Sequence, residues 1–303
     1  MPESAEIIDV SPRDGLQNEK ILLSTEIKVE LITRMIDAGM RRLEATSFVH
    51  PRLVPAMADA EAVMALVPRG RGASYIGLVL NERGLDRAIA AGCDEIGYAA
   101  VVTDTFSQRN QGTTAAEGVE VWKRIATRAR EAGVAPSLVV SVAFGCPFEG
   151  EVSVRSVVET VEACMDVPPA RLSLADTIGV ATPADVTERF TAISDVVPHG
   201  VQLGTHFHNT RGTGIANAYA ALEAGVRSFD SSLGGVGGCP FAPNATGNIT
   251  TEELVYMLHR MGFDTGLDLD ALAATANWLR GHLGESVVSL YAKAGPFPMA
   301  ESG

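Results

Sequence analysis

Residues 202–208, Gln-Leu-Gly-Thr-His-Phe-His, form a short β-rich run that ends in two histidines. Similar runs recur along the chain, and segments with helical periodicity lie between them. Strands that alternate with helices at this spacing are typical of a parallel sheet. The predicted strands are Glu6–Val10, Arg42–Thr46, Ser74–Leu80, Glu95–Val101, Ser137–Ala143, Arg171–Ala175, Gln202–His208 and Arg227–Ser231.

The segments between these runs carry the apolar stripes of amphipathic helices. One stripe consists of Ile27, Leu31, Ile32, Met35 and Ile36, and another of Ala115, Val119, Trp122, Ala126 and Ala129. Several stripes are followed by a glycine, the residue preferred just after a helix C-terminus. Eight strand–helix units in about 250 residues favour an α/β fold, the (β/α)8 TIM barrel, over an open sheet.

The chain contains no linker that would mark a domain boundary. We therefore predict a single catalytic TIM-barrel domain over residues 1–303, with the barrel at about 5–262. A C-terminal helical extension at about 263–303 includes the helical stretch Leu267–Leu283 and is expected to pack against the barrel. No G-x-G-x-x-G motif follows the first strand, which argues against a dinucleotide-binding fold.

The composition excludes several classes of protein. With 24 basic and 37 acidic residues the net charge is −13, which argues against a nucleic-acid or anionic-membrane partner. The first residues are acidic, and no apolar run approaches the ~18 residues of a membrane span, so we expect a soluble, cytoplasmic protein. The four cysteines form no C-x-x-C pair, so neither a disulfide framework nor a zinc ribbon is predicted.

The reactive side chains follow the predicted strands at the ends where a barrel carries its active site. We therefore predict that they meet on one rim. They are Arg13 and Asp14 after the first strand, Glu44 near the end of the second, Asp176 after the sixth, His206 and His208 at the end of the seventh, and Cys239 and Asn248 beyond the eighth. A helical stripe follows Asp14-Gly15, so this pair belongs to a strand–helix loop and not to a hairpin.

Two histidines on one strand predict a metal site. His206 and His208 point to the same face, because side chains alternate along a strand. Together with Asp14 and Asn248 they offer oxygen and nitrogen ligands and no thiolate, which favours Mg²⁺ or Mn²⁺ in roughly octahedral geometry. Four protein ligands leave about two positions for substrate oxygens.

Several of these residues also have a structural interpretation. Glu44 and Asp176 would then pair with an arginine or with strand-end amides. Asn248 would cap a helix, because a helix begins near Thr250. Cys239 would be a small buried hydrophobe, although the glycines before it predict a flexible loop that closes a thiol over a substrate.

Five segments resemble one enzyme family when they are taken in order. They are Ser11–Glu19, Glu44–Phe48, Gly145–Gly150, Asp176–Gly179 and Gly234–Pro240. These segments are similar to 3-hydroxy-3-methylglutaryl-CoA lyase, and the similarity extends from about residue 5 to about 260. The resemblance implies a divalent-metal (β/α)8 lyase that cleaves 3-hydroxy-3-methylglutaryl-CoA to acetoacetate and acetyl-CoA, a reaction of leucine catabolism.

The resemblance also implies a role for individual residues. The implied metal ligands are Asp14, His206, His208 and Asn248. Arg13 stabilises the enolate of the departing acetyl-CoA, and Cys239 assists proton transfer from a mobile glycine-rich loop. The other implied residues are Glu44, Asp176 and His206 for catalysis and Gln17 for positioning the substrate.

The chain departs from the family pattern after the histidines, at Asn209 and Arg211. Asn209 resembles the related Claisen-condensing synthases, and Arg211 adds a group that binds carboxylates. His50 stands where the family commonly has serine and is expected at the pocket rim, and Leu53 stands where an aromatic residue is common. We therefore expect the reaction type to be retained more firmly than the substrate.

Three alternatives to the leading function stay open. The same cleavage could act on another 3-hydroxyacyl-CoA, such as citramalyl-CoA or a longer branched 3-hydroxyglutaryl-CoA. The protein could be a condensing synthase, or a non-catalytic barrel that binds metal or CoA. The lyase interpretation predicts an acyl-CoA ligand and a homo-oligomer, since barrels of this kind often assemble.

Overall fold

Eight parallel strands close into a barrel in chain order, and the last strand pairs with the first. The computed structural model describes residues 3–238 and 247–298. The (β/α)8 TIM-barrel prediction is therefore confirmed. The strands are β1 Glu6–Asp9, β2 Arg42–Ser47, β3 Ser74–Leu78, β4 Glu95–Val101, β5 Ala135–Ser141, β6 Arg171–Asp176, β7 Gln202–Phe207 and β8 Ser228–Ser231.

Helices follow the strands and surround the barrel. Their first turns are capped as the sequence favours, for example by Ser24 and by capping boxes that begin at Thr114 and Thr182. The helices are α1 Thr25–Asp37, α2 Ala60–Leu66, α3 Glu82–Ala90, α4 Asp104–Gln111, α5 Ala115–Glu131, α6 Val154–Cys164, α7 Pro183–Ser194, α8 Gly214–Glu223, α9 Thr251–Arg260, α10 Leu269–Leu283 and α11 Tyr291–Ala294.

The main hydrophobic core lies between the strands and the helices. The apolar stripe of α1 is buried there, as is Trp122 of α5, whose indole N–H donates to the Cys164 carbonyl at 3.1 Å. Cys93, Cys146 and Cys164 are buried free thiols. The inside of the barrel is different, because its small separate apolar cluster contains only Ile8, Val10 and Ile76.

A charged cluster fills the end of the barrel interior where the strands begin. We call it the lower cluster: Glu6, Arg42, Glu95, Ser137, Gln202 and Ser228. The Arg42 guanidinium donates to both carboxylate oxygens of Glu95 at 2.8 and 2.9 Å, and to Glu6 at 2.8 Å. Gln202 also donates to Glu6, at 2.9 Å. These bonds join β1, β2, β4 and β7 across the barrel axis.

The C-terminal segment packs against the barrel and reaches its active end. Helix α10 contacts α1 and α9, and α11 contacts α9 and α10. Beyond α10, the Val288 N–H donates to the Gly234 carbonyl at 2.8 Å. In the described part of the chain, no helix is long and apolar enough to cross a membrane.

Candidate metal centre and active site

A single π-helical turn, Ser11–Gly15, presents Arg13 and Asp14 after β1. The Asp9 carboxylate accepts from the Ser11 N–H at 2.8 Å and from its hydroxyl, which holds the turn against the strand end. A Cβ on Gly15 would lie 2.7 Å from the Val236 side chain. Glycine at this position therefore allows the turn to approach the residues that follow β8.

Asp14, His206 and His208 form a compact group, and their potential ligand atoms all lie within 4.8 Å of one another. We call these three residues the metal group. His206 Nε2 lies 3.8 Å from Asp14 Oδ2. Nδ1 of His208 is buried and has no hydrogen-bond partner among the described residues. A carboxylate beside two imidazoles, one with an unpartnered buried nitrogen, fits a divalent metal ion.

Asn248 lies beside this group. Its amide nitrogen donates to Asp14 Oδ2 at 2.8 Å and to the Val236 carbonyl at 3.2 Å. A β-bridge between Asn248 and His208 fixes its position. The N-cap of α9 is Thr250, so the side chain of Asn248 does not cap this helix.

The Arg13 guanidinium lies between two carboxylates. It contacts Asp14 Oδ1 at 2.7 Å and Glu44 Oε2 at 2.6 Å. Burial acts to lower the pKa of Arg13, but the charges of Glu44 and Asp14 outweigh it and raise the pKa. Burial raises the pKa of Glu44 to about 7, despite the neighbouring Arg13. Arg13 is therefore a permanent cation, whereas Glu44 titrates near neutral pH.

The pKa values of the two histidines shift in opposite directions. Burial acts to lower the pKa of His206, but the hydrogen bond to Asp230 and the charge of Asp14 raise it overall. Burial lowers the pKa of His208 to about 4, and the nearby His206 adds to this effect. His208 is therefore a neutral imidazole at physiological pH, the form that binds metal ions.

Asp176 and Arg211 lie in the loops behind the metal group. The Asp176 carboxylate accepts from the Val180 and Ala181 N–H groups, both at 2.9 Å, and burial raises its pKa. Arg211 donates to the Ile178 and Gly179 carbonyls at 3.1 and 2.8 Å. Neither side chain lines the cavity described below, so the structure brings both to the β6–α7 loop and not to the metal group.

His50 and Asn209 have local partners. His50 is exposed, and its Nδ1 accepts from the Arg52 N–H at 3.2 Å. Asn209 Oδ1 accepts from the Gly214 N–H at 3.0 Å, at the start of α8. Both side chains stabilise loop conformations, and neither lines the cavity.

The glycines after β8 are packed tightly against neighbouring chain. A Cβ on Gly234 would lie 2.6 Å from Val287, and one on Gly237 would lie 2.7 Å from Asn248 Nδ2. A Cβ on Gly247 would lie 1.9 Å from the Gly235 carbonyl oxygen. We call residues 233–238 the glycine turn, in which Gly234, Gly235 and Gly237 allow close approach of neighbouring chain. The flexibility expected from the sequence stays a prediction. Cys239 lies outside the described residues.

A cavity of about 230 Å³ opens beside these groups at the carboxyl ends of the strands. Its walls include the guanidinium of Arg13, both imidazoles of the metal group and the side chain of Gln17. Oε1 of Gln17 is buried, and no residue in the described part of the chain forms a hydrogen bond with it. The apolar part of the wall is formed by Val49, Leu53, Val54, Leu78, Leu80, Ala99, Phe106, Val139 and Ala175. The cavity thus joins a polar, charged side to an apolar one, as ligand sites commonly do.

The model of one family, described as HMGL-like, matches residues 4–279. The chain belongs to the HMGL-like family.

Three relatives of this HMGL-like chain illustrate the range of named activities. (R)-citramalyl-CoA lyase of Chloroflexus aurantiacus is 42% identical over 97% of this chain and 96% of its own length. The crystal structure of Bacillus subtilis HMG-CoA lyase has a TM-score of 0.93 at 37% identity, covering 96% of this chain and 98% of that one. An Acinetobacter baumannii HMG-CoA lyase in complex with coenzyme A and 3-methylmalate has a TM-score of 0.91 at 38% identity, covering 97% and 98%.

This HMGL-like protein is an acyl-CoA lyase of the HMG-CoA lyase type. Its relatives act on more than one substrate by name, and their identities to this chain are similar. The family resemblance predicted from the motifs is confirmed.

Two residues near the metal group of this HMGL-like lyase were not selected from the sequence. Asp230 on β8 lines the cavity and lies 3.2 Å from His206 Nδ1. Arg171 on β6 donates to Asp230 Oδ1 at 2.7 Å. The period of two places Ser228 and Asp230 on one face of β8, which is a signal for an inward carboxylate. No comparable pattern in the sequence indicates that the side chain of Arg171 extends to Asp230.

Proposed function

We propose that this HMGL-like lyase cleaves 3-hydroxy-3-methylglutaryl-CoA to acetoacetate and acetyl-CoA with Mg²⁺ or Mn²⁺ as its cofactor. The observation that carries the proposal is the group of Asp14, His206 and His208, with ligand atoms within 4.8 Å, beside Arg13 in one cavity. This arrangement offers a metal site and a fixed cation on the same wall. With that substrate the enzyme would serve leucine catabolism.

The reaction is a retro-Claisen cleavage. The 3-hydroxyl loses its proton, the carbon 2–carbon 3 bond breaks, and the oxygen becomes the carbonyl of acetoacetate. The electron pair of the broken bond passes to the thioester as an enolate, which takes up a proton at carbon 2 to give acetyl-CoA. The protein must therefore accept one proton, stabilise one enolate and deliver one proton.

Asp14, His206, His208 and Asn248 would hold the metal ion. When bound, it supplies Lewis-acid polarisation of the substrate hydroxyl and orients the substrate oxygens. Asn248 would use its side-chain carbonyl oxygen as the ligand atom, because its amide nitrogen donates to Asp14 and to the Val236 carbonyl. His208 supports this assignment best, because its imidazole is neutral and its Nδ1 has no other partner.

Arg13 is suited to stabilise the enolate. It is a buried cation on the cavity wall, and the two carboxylates that flank it hold the guanidinium in place. Its positive charge is ready before the enolate forms, so no reorganisation is needed during the reaction. Gln17, on the same wall, would position the thioester or carboxylate through its free amide.

Neither Glu44 nor Asp176 is among the described residues that line the cavity, but Glu44 contacts Arg13, which does line it, so we assign the proton exchange to Glu44. Glu44 contacts Arg13 and has a pKa of about 7, whereas both oxygens of Asp176 accept backbone N–H groups. We assign Asp176 to the support of the β6–α7 loop, next to the cavity. Cys239 keeps its proposed role in delivering the proton to carbon 2, and Cys239→Ala should lower kcat strongly while metal binding is retained.

Citramalyl-CoA is the second candidate substrate. Apart from the histidines, Arg13 is the only cationic side chain among the described residues that line the cavity. A carboxylate attached directly to the hydroxylated carbon, as in citramalyl-CoA, stays on the side of Arg13 and the metal group. The carboxymethyl group of 3-hydroxy-3-methylglutaryl-CoA extends one carbon further, toward a wall that offers polar groups such as Asn110 and Ser141.

Cleavage assays on both thioesters test the proposal. Metal-stripped enzyme is given each substrate with and without Mg²⁺ or Mn²⁺, and the release of acetyl-CoA and of acetoacetate or pyruvate is measured. Metal-dependent release of acetoacetate is the expected result. Faster release of pyruvate from citramalyl-CoA would replace the substrate but keep the reaction, and no release from either would contradict the lyase assignment of this site.

We also propose that residues 1–303 act as one catalytic unit and that the enzyme is a homo-oligomer. The first part is supported by the bond from Val288 to the Gly234 carbonyl, which ties the C-terminal segment to the glycine turn. Sedimentation analysis of the purified protein tests the second part, and a monomer at micromolar concentration would contradict it.

A further inference from the structure

Asp230 and His206 face each other across two neighbouring strands. They are paired in register on β7 and β8, and His206 Nδ1 lies 3.2 Å from Asp230 Oδ2. The other ring nitrogen, Nε2, lies 3.8 Å from Asp14 Oδ2. The imidazole of His206 therefore lies between two carboxylates, with Nδ1 toward Asp230 and Nε2 toward Asp14.

The Asp230 carboxylate is itself held by a buried arginine. Arg171 Nη2 donates to Asp230 Oδ1 at 2.7 Å, and Arg171 Nε donates to the Ser228 hydroxyl at 2.8 Å. Arg171 is 4% exposed and Asp230 is 5% exposed. Each of the two Asp230 oxygens thus has a different partner, Arg171 on one side and His206 on the other.

The glycine at position 204 makes this contact possible. Arg171 begins β6, four residues before Ala175, the residue of β6 that pairs with His206. Its guanidinium must therefore extend along the barrel interior past β7. A Cβ on Gly204 would lie 2.4 Å from Arg171 Nη2 and 2.6 Å from its Cζ. Any other residue at 204 would occupy the path of the arginine.

The ion pair determines which nitrogen of His206 carries a proton. A carboxylate that is ion-paired with Arg171 is ionised and can only accept hydrogen bonds. Nδ1 of His206 must then be the protonated nitrogen. In the neutral imidazole, the lone pair lies on Nε2, which is the atom nearest Asp14.

We propose that Asp230, held by Arg171, is a positioning residue that fixes the ring and the tautomer of His206 so that Nε2 binds the metal ion. The inference rests on the proposed metal site and adds the groups that prepare it. Asp230 has no contact with the metal position in this scheme, and it acts through His206. Loss of such an outer hydrogen-bond partner typically weakens metal binding 10–100-fold.

The test is Mn²⁺ affinity measured by electron paramagnetic resonance on the purified full-length enzyme. Asp230→Asn keeps the size of the side chain and removes its charge. We expect Mn²⁺ to bind about 10–100-fold more weakly than to the wild type. The matched control is Glu95→Gln, which removes another buried, arginine-paired carboxylate from the same barrel interior but in the lower cluster. Its Mn²⁺ affinity should stay within about twofold of the wild-type value.

A second variant covers the case in which Asp230→Asn does not fold, because it leaves Arg171 without its ion-pair partner. The double variant Asp230→Asn/Arg171→Gln removes both charges together, which avoids an uncompensated buried cation. We expect it to fold and to bind Mn²⁺ as weakly as the single variant. In ¹⁵N NMR spectra of the Mg²⁺-bound forms, the wild type should show His206 protonated at Nδ1, and the double variant should lose this single tautomer.

The results for the wild type test the proposed metal site, and the results for the variants test the role of Asp230. If the wild type binds Mn²⁺ and the folded variants bind it within about twofold of the wild-type affinity, Asp230 does not position the metal ligand and this inference is wrong. If the wild type itself binds no Mn²⁺, the proposed function fails as well. Weaker binding in both Asp230 variants, with the Glu95→Gln variant unchanged, supports the inference.

Discussion

Two charged clusters occupy opposite ends of the same barrel, and they differ in how fully their polar atoms are paired. In the lower cluster, Arg42 is shared by Glu95 and Glu6, and Gln202 adds another bond to Glu6. The upper cluster is formed by Arg13, Asp14, Glu44, His206 and His208, and in it Nδ1 of His208 has no partner within residues 3–238 and 247–298. The upper cluster borders the cavity, and the lower cluster does not.

Unpaired atoms, and not the ion pairs, distinguish the upper cluster from a purely structural one. Both contain buried arginine–carboxylate pairs at 2.6–2.8 Å, so short ion pairs alone do not mark an active site. The upper cluster also contains a neutral imidazole without a partner and a carboxyl group with a pKa of about 7. Hydrogen-bond donors and acceptors that lack a protein partner beside a cavity are available to bind a ligand.

The largest expected effect is on the lower cluster. Arg42→Met leaves the buried Glu95 and the half-buried Glu6 without their cation, so the free energy of unfolding should fall by about 3–5 kcal/mol, mostly through Glu95. Urea denaturation measures this loss. The turnover of the remaining folded enzyme should be unchanged, and a fall in kcat would show that the two ends are coupled. As the control, Arg155→Met breaks the exposed pair with Glu159 and should cost less than about 1 kcal/mol.

The next effect is on the upper cluster and concerns catalysis. Arg13→Lys keeps one charge but cannot contact Asp14 and Glu44 in the same way, so the enolate loses its fixed cation. We expect kcat to fall by about 10²–10³-fold, the loss typical of one donor that stabilises a developing oxyanion. Steady-state kinetics measure this, with urea denaturation showing a smaller loss of stability than in Arg42→Met. Near-normal turnover would remove Arg13 from the mechanism.

The buried carboxyl group of Glu252 is paired with a backbone N–H of the glycine turn. Glu252 accepts from the Gly234 N–H with both oxygens, at 3.1 and 3.0 Å, and burial raises its pKa from 4.5 to about 8. The native state therefore holds a proton that the unfolded state releases between these pH values. Its stabilising contribution is complete below pH ~4.5 and is lost as the pH rises toward ~8, by up to about 1.4 kcal/mol per pH unit.

The comparison between Glu252→Gln and the wild type tests this linkage. Urea denaturation of both proteins at pH 5, 6, 7 and 8 should show that the variant loses less stability than the wild type as the pH rises. Parallel pH dependences would mean that Glu252 keeps an ordinary pKa in the native state. The Gly234 N–H would then donate to an ionised Glu252 carboxylate.

The smallest expected effect is at Arg211, which the sequence suggested as a binding group for a substrate carboxylate. The guanidinium donates to the Ile178 and Gly179 carbonyls and does not line the cavity. We therefore expect Arg211→Gln to change KM by less than about threefold and kcat by a similar factor. An increase in KM of tenfold or more, with an unchanged Tm, would place Arg211 at the substrate after all.

The sequence was most informative where a residue's position depends on local periodicity. The i, i+2 spacing of His206 and His208 predicted a shared face, and their ligand atoms do lie together with that of Asp14. The helical stripes and glycine-ended segments predicted the order of strands and helices. Each of these inferences uses only neighbours along the chain, which backbone geometry fixes.

The sequence was less informative where a side chain has two possible partners. Asp176 and Arg211 were placed near the active rim, but their donors and acceptors are used by the backbone of the β6–α7 loop. The run of glycines predicted flexibility but did not indicate that Gly234 and Gly237 make room for Val287 and Asn248. A pattern of residue types does not state which of several nearby groups takes a hydrogen bond or occupies a space.

The order of strands and helices, the family and the shared face of His206 and His208 could all be predicted from the sequence, and that shared face predicts a metal site. Three contacts became visible only in the folded barrel: Asp230 and Arg171 hold His206, Glu44 rather than Asp176 contacts Arg13, and the C-terminal segment reaches the glycine turn. The reason is physical. Periodicity follows from the backbone geometry of a single strand or helix, whereas these contacts exist only after distant strands have closed into a barrel and their buried polar groups have found partners.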